Sequence, residues 1–263
     1  MTVRFELAGH IATVTLNRPE RRNALTMQSY AELSESFHKA TADPEVRCVI
    51  VTGADPAFCS GDDMKEIMIG PHAAARRAAI ATPTHPANRT AMAILNCDKP
   101  VIAAVNGAAI GWGMELALFA DIRIASEHAK FGELFVKRGL VPDVGGFTRL
   151  PAIVGPAMAA ELLFTGDVID ATEAQRIGLV RNVAPHDQLM EEARALAQRI
   201  VVNPPLAVGH IKKGLRLTVG ALGTTEAMGA WASETIFRLM ETEDHQEGVR
   251  SFFEKRAPVF RGR

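Results

Sequence analysis

A chain of 263 residues, 48% hydrophobic and 22% charged, carries enough apolar material for one large core, with or without a smaller appendage. Its formal net charge of −1 provides no global field for nucleic acid or an anionic membrane, so any basic site must be local. The three cysteines (Cys48, Cys59, Cys97) are few, odd in number and far apart, which excludes a disulfide framework, and neither they nor the eight histidines show metal-ligand spacing. Residues 1–16 carry charge and alternate in polarity, unlike a signal peptide, and no apolar run of about eighteen residues is long enough to span a bilayer. The expectation is a cytoplasmic protein with no metal, nucleic-acid or membrane partner.

In chain order, Val3–Leu7 and Ile11–Leu16 alternate around Gly9-His10 and predict a β-hairpin. Met27, Tyr30, Leu33, Phe37 and Ala40 recur at helical spacing, with Thr26 placed to cap and Asp43-Pro44 to terminate. Cys48–Thr52 and Val101–Val105 are short apolar runs that predict buried strands, a helix is expected over Met114–Ala120, and Asp121–Ala125 is a further strand candidate. Gly70–Thr90, with its three prolines, reads as a mobile segment. Strands alternating with helices give an α/β class. Beyond about residue 187 the strand signals stop. Leu189, Ala193, Leu196 and Ile200 form a helical stripe, Asn203-Pro204-Pro205 breaks it, and Thr224–Met240 and Asp244–Phe253 are helical in pattern. This divides the chain into a 1–195 α/β core and a 196–263 α-helical region.

Two glycine-containing junctions follow the buried strands: Phe58-Cys59-Ser60-Gly61-Asp62-Asp63-Met64-Lys65, and Asn106-Gly107-Ala108-Ala109-Ile110-Gly111-Trp112-Gly113-Met114-Glu115. Small residues allow close backbone approach, and a helix N-terminus presents unpaired N–H groups. Two such groups converging on one point form an oxyanion hole. Neither junction alone distinguishes this from a tightly packed turn. The second lacks Gly-x-Gly-x-x-Gly phasing, which argues against a dinucleotide site.

Together, the two junctions resemble the enoyl-CoA hydratase/isomerase (crotonase) superfamily. So do Asn17-Arg18-Pro19 with Asn23-Ala24-Leu25, Gly139-Leu140-Val141-Pro142-Asp143-Val144-Gly145-Gly146, Leu163-Phe164-Thr165-Gly166 and Phe253-Glu254-Lys255-Arg256, in that order over essentially the whole chain. The resemblance implies a spiral of ββα units followed by an α-helical region that packs trimers, often as dimers of trimers. It implies an acyl-CoA thioester as substrate, with coenzyme A part of that substrate and no separate cofactor.

Carried onto this sequence, the resemblance makes Asp62 and Trp112 the two main-chain oxyanion donors, with the Trp112 indole either in the acyl pocket or under a neighbouring segment. The first of the family's two water-activating glutamates matches Glu115. The second matches Phe135, which cannot transfer a proton. Asp143 stands where the dienoyl-CoA isomerase branch carries an aspartate, and Glu133 reads as an exposed or loop-binding acid. Arg22, Ala24, Met64, Lys65, Gly111 and Phe135 match positions around the acyl-CoA, and Phe252 and Lys255 match positions near adenine. Cys59 reads as a small buried residue. The expected activity is enoyl-CoA hydration or isomerisation. Hydrolysis or carbon–carbon cleavage of another acyl-CoA is the alternative, as is a catalytically impaired acyl-CoA-binding oligomer.

Overall fold

The structure, a computed structural model, describes residues 1–67, 86–142, 144–218, 238–239 and 241–263. Strands β1 (Val3–Ala8) and β2 (Ile11–Leu16) form the expected antiparallel hairpin, with Val3 opposite Leu16. Strand β3 (Cys48–Gly53) lies parallel to β2 and is buried along its whole length, as a continuous apolar run requires when both sheet faces are covered. Each later turn of the chain repeats one pattern: a long strand in one sheet, a short strand in a second sheet, then a helix or loop. β4 (Ala57–Cys59) follows β3, β6 (Ala108–Ile110) follows β5 (Val101–Val105), and β8 (Lys130–Gly132) follows β7 (Ile122–Ser126). With β9 (Ile169–Asp170) and β10 (Asn182–Ala184), the result is a six-stranded sheet ordered β1-β2-β3-β5-β7-β10 and a four-stranded sheet ordered β4-β6-β8-β9. This is a spiral of ββα units.

Strand alternation sends the two faces of the large sheet into different cores. Val49, Val51, Ala103 and Val105 join the main cluster with Tyr30, Leu33 and Phe37 of helix Met27–Ala42 and with Ile94 of helix Pro86–Asn96. Cys48, Ile50, Ile102 and Ala104 face Leu189, Ala193, Ala197 and Val201 of helix Leu189–Val201, which runs across position 195. Thr26 caps the first helix as predicted, its side chain accepting from Ser29 N at 3.1 Å.

The sequence and structure differ at three places. The second sheet has no counterpart in the predicted elements. Of the segment read as mobile, Gly70–Thr90, residues 70–85 lie outside the described residues, but from Pro86 onward it is a helix whose Thr90 is buried and donates to Tyr30 O at 2.9 Å. The helix expected from Met114 begins at Trp112. Of the predicted Thr224–Met240 helix, only 238–239 fall within the described residues, and both are helical. Among the described residues, no helix is long and apolar enough to cross a membrane.

Helix Pro205–Thr218 is tied to the core by an ion pair whose lysine is buried and whose aspartate reaches the surface. Lys212 Nζ lies 2.7 Å from Asp121 Oδ2 and donates to Lys99 O at 2.5 Å, while the same Asp121 oxygen accepts from Val101 N at 2.7 Å. Burial lowers the Lys212 pKa, and Asp121 acts in the opposite direction. In Lys212→Ala, Asp121 loses its partner. Chemical denaturation should show a loss of about 1–2 kcal/mol, less than for a fully buried pair, since Asp121 keeps 29% of its side chain exposed and its bond to Val101 N. An unchanged midpoint would show that the pair adds nothing to stability.

Candidate active site

The two glycine junctions meet because backbone packs directly on backbone. Gly61 has φ +87°, and a Cβ there would lie 2.8 Å from Ile110 O. A Cβ on Gly113 would lie 2.0 Å from Cys59 O, so a side chain at either position would force the junctions apart. Leu25 pins the first junction from the other side: Leu25 N donates to Gly61 O at 2.8 Å, and Asp63 N donates to Leu25 O at 2.9 Å. Both bonds of this parallel bridge use the residues flanking Asp62, so the Asp62 N–H points away from Leu25. Trp112 is the first residue of helix Trp112–Phe119, whose first ladder bond is Glu115 N to Gly111 O at 3.0 Å, so the Trp112 N–H lies outside the ladder. Gly61, Asp62, Gly111 and Trp112 border a cleft of ≈ 110 Å³ whose other walls are Ser60, Met64, Ile110, Leu134, Phe135, Arg138 and Leu140.

The indole of Trp112 takes the second of its two expected places. The residue is 2% exposed, its ring edge-on to Tyr30 at 4.8 Å and tilted onto Phe119 at 6.3 Å. Tyr30, fully buried on the first long helix, donates its hydroxyl to Asp62 Oδ1 at 2.5 Å. Sequence reasoning recognised Tyr30 only as part of a helical core stripe; nothing in its spacing marks it as a neighbour of both junctions.

Glu115 is on the same helix as Trp112, three residues on, and fully buried. Its Oε1 accepts from Gly146 N at 3.0 Å, and a Cβ on Gly145 would sit 2.5 Å from Oε2. The Gly145-Gly146 pair therefore fits closely around this carboxylate. Phe135 lies at the lip of the cleft, its Cζ 3.9 Å from where a Gly111 side chain would begin. Glu133 is not the exposed acid expected from sequence. It is 1% exposed, because the turn at Leu134 separates it from Phe135 and directs it inward. Asp143 lies outside the described residues.

The first loop is stitched to the first junction. Asn23, buried with φ +56°, donates to Ala54 O at 2.7 Å and Ala57 O at 2.6 Å and accepts from Arg18 N at 2.9 Å. Ser60 N donates to Arg22 O at 3.1 Å, and Arg18 bonds both Ala24 O at 2.6 Å and Asp63 Oδ2 at 3.1 Å. Burial acts to raise the Asp63 pKa, but the Arg18 guanidinium and the Glu66 and Lys65 N–H groups outweigh it and hold the carboxyl below its ordinary value. Arg22, Met64 and Lys65 are exposed around this loop, and Ala24 is half-buried. Lys255 is exposed just beyond helix Glu243–Glu254, in a left-handed conformation, and is not among the residues lining the cleft. Phe252 lies within that helix. Cys59 is buried, and desolvation pushes its thiol up to about 12, so it is protonated at neutral pH and is no nucleophile.

The enoyl-CoA hydratase/isomerase family profile matches residues 6–263. The chain belongs to this family. It is 38% identical to (E)-benzylidenesuccinyl-CoA hydratase of Thauera aromatica over the full length of both chains, and 40% identical to carnitinyl-CoA dehydratase of Escherichia coli (strain K12) over 97% of this chain and 96% of that one. Among solved structures, enoyl-CoA hydratase from Bacillus anthracis superposes with a TM-score of 0.93 at 33% identity, each chain covered completely. This is a crotonase-superfamily enzyme of the hydratase/isomerase type.

Two substitutions test the geometry. In Gly145→Ala the added methyl must displace Oε2 of Glu115. A shift of about 1 Å in a reacting group can lower kcat by about 10²-fold, and steady-state kinetics should show this while the fold persists. Trp112→Ala empties a core site, and denaturant titration should show a loss of about 3–5 kcal/mol. A small loss there, with altered acyl selectivity, would contradict the packing of the indole.

Proposed function

We propose that this hydratase/isomerase adds water reversibly to a 2-enoyl-CoA thioester, using one carboxylate, Glu115, for the proton transfers. The observation that carries the reading is Glu115 itself, fully buried, anchored by Gly146 N–H at 3.0 Å and three residues along the helix from the Trp112 amide. The thioester oxygen accepts hydrogen bonds from the Asp62 and Trp112 N–H groups, each worth about 3–4 kcal/mol once negative charge develops on that oxygen. As the water oxygen bonds to C3, its proton passes to Glu115. The C2–C3 π electrons shift to form the enolate, and Glu115 returns a proton to C2, giving the 3-hydroxyacyl-CoA. The printed names of the two relatives, a CoA-ester hydratase and a CoA-ester dehydratase, agree with such a reaction in either direction.

The apolar wall of Met64, Ile110, Leu134, Phe135 and Leu140 suits an acyl group, and Arg22 and Lys65 suit the phosphates of coenzyme A. No cofactor is needed beyond the coenzyme A of the substrate. In this reading the enzyme works in the cytoplasm as a trimer or dimer of trimers, with Phe252 and Lys255 approaching the adenine of a neighbouring subunit.

A second reading, double-bond migration, draws on Phe135. An aromatic ring at the lip of the cleft disfavours a second water contact, and a single carboxylate is enough to move a proton between C2 and C4.

Crotonyl-CoA tests both. Hydration removes the conjugated-thioester absorbance, and Glu115→Gln should lower kcat by about 10²–10⁴-fold with KM little changed. Conversion between 2-enoyl and 3-enoyl esters without uptake of solvent oxygen would select the second reading. If wild type and Glu115→Gln are equally inert toward a panel of acyl-CoA esters that bind, the protein is an acyl-CoA-binding oligomer instead.

A further inference from the structure

We propose that Tyr30 is a positioning residue that holds the Asp62 and Trp112 amides in register with each other. The inference rests on the reading above, in which those two amides receive the thioester oxygen. Both donor positions carry side chains in this chain, and both side chains reach the same tyrosine. Its hydroxyl donates to Asp62 Oδ1 at 2.5 Å, and its ring meets the Trp112 indole edge-on at 4.8 Å and 84°. Tyr30 is well placed for this task. It is fully buried, it sits on a sixteen-residue helix capped by Thr26, and its carbonyl accepts from Thr90 Oγ1 at 2.9 Å on a second helix. A ring locked by packing defines a position sharply.

The hydroxyl also has an electrostatic role. Asp62 carries a carboxylate on the residue whose N–H faces the developing oxyanion. A free carboxylate there would repel that charge and could itself turn toward the donor N–H groups. The Tyr30 hydroxyl ties it to the first long helix through a short hydrogen bond. Loss of this bond should therefore weaken the polarisation of the thioester more than it weakens binding of the ester. The contact with Trp112 acts on the other donor, by fixing the first residue of the helix through its side chain.

The test uses the intact enzyme and butyryl-CoA carrying ¹³C at the thioester carbonyl, a saturated ester with no double bond to hydrate. Infrared difference spectra compare the carbonyl stretch free and bound. For wild type, a shift to lower frequency is expected. In Tyr30→Phe the ring remains and the hydroxyl is lost. The bound shift should shrink and kcat on crotonyl-CoA should fall about tenfold, with KM and butyryl-CoA affinity nearly unchanged, the pattern of an interaction made in the transition state. Tyr30→Leu, which also loses the ring contact, should fall further. Adding Asp62→Asn to Tyr30→Phe removes the released charge and should recover most of the lost shift.

Because Tyr30 is the only tyrosine in the chain, a ring-labelled sample gives one assignable NMR signal, and that signal should move in Asp62→Asn. If Tyr30→Phe and Tyr30→Leu keep the wild-type shift and kcat, the positioning role is overturned while the two-amide reading stands. If wild type itself binds the ester without any carbonyl shift, the two-amide reading fails and this inference fails with it. Should Tyr30→Leu not fold, Tyr30→Phe, which lacks one oxygen atom, carries the test alone.

Discussion

The contact on which the site depends is between two stretches of main chain with no side chain between them. Where β4 leaves the small sheet and where β6 enters its helix, carbonyl oxygens lie so close to Gly61 and Gly113 that an added Cβ would overlap them, at 2.8 Å from Ile110 O and 2.0 Å from Cys59 O. The same holds at the starts of these units, where Gly53 and Gly107 face Ala57 O and Pro56 O at 2.3 and 2.4 Å. Each ββα turn thus brings a strand end and the next helix start within reach of each other. The fully buried strands of the large sheet keep that arrangement rigid. Apolar packing provides the stability, and the glycines convert it into close approach of the two junctions.

Several carboxylates crowd the two junctions, and each is held locally. Glu115 is held by the Gly146 N–H, Asp62 by the Tyr30 hydroxyl and Asp63 by the Arg18 guanidinium. The Asp63 pair has a definite pH signature. Its folded-state pKa lies below the ordinary carboxylate value, so the stabilisation is complete above that ordinary value and is lost as pH falls through the lowered one. At neutral pH the first loop, including Arg22 and Ala24, is therefore fastened to the residue after Asp62. Its order depends on charge as well as on packing.

Much of this was legible in the sequence because long-range features leave long patterns. The apolar runs of β3 and β5 announce strands covered on both faces, and the Met27–Ala42 stripe announces its helix and its cap. The small sheet left no pattern: strands of two or three residues cannot display a period of two, and their pairing is set by where the large sheet delivers them. Glu133 shows the same limit for a side chain. Whether it points outward or inward is decided where the chain leaves β8 for the turn at Leu134 and Phe135, and no spacing rule separates the outcomes. Tyr30 carried the signal of a core residue and is one, but its hydroxyl meets Asp62 through a contact thirty-two positions distant that only the fold creates.

Trp112 shows how the second junction accommodates a large side chain next to Gly111 and Gly113. A backbone N–H is independent of the side chain on the same residue, provided that side chain can leave the cleft. At Trp112 it leaves into the main core, between Tyr30 and Phe119. First helical turns are where helices fray, since their N–H groups lack ladder partners. A large apolar side chain buried at that first residue opposes fraying at its own amide. The consequence is coupling. A donor held by a glycine run would depend on its own loop, whereas this one depends on the position of helix Met27–Ala42, so changes in the packing of that helix reach the site through Tyr30.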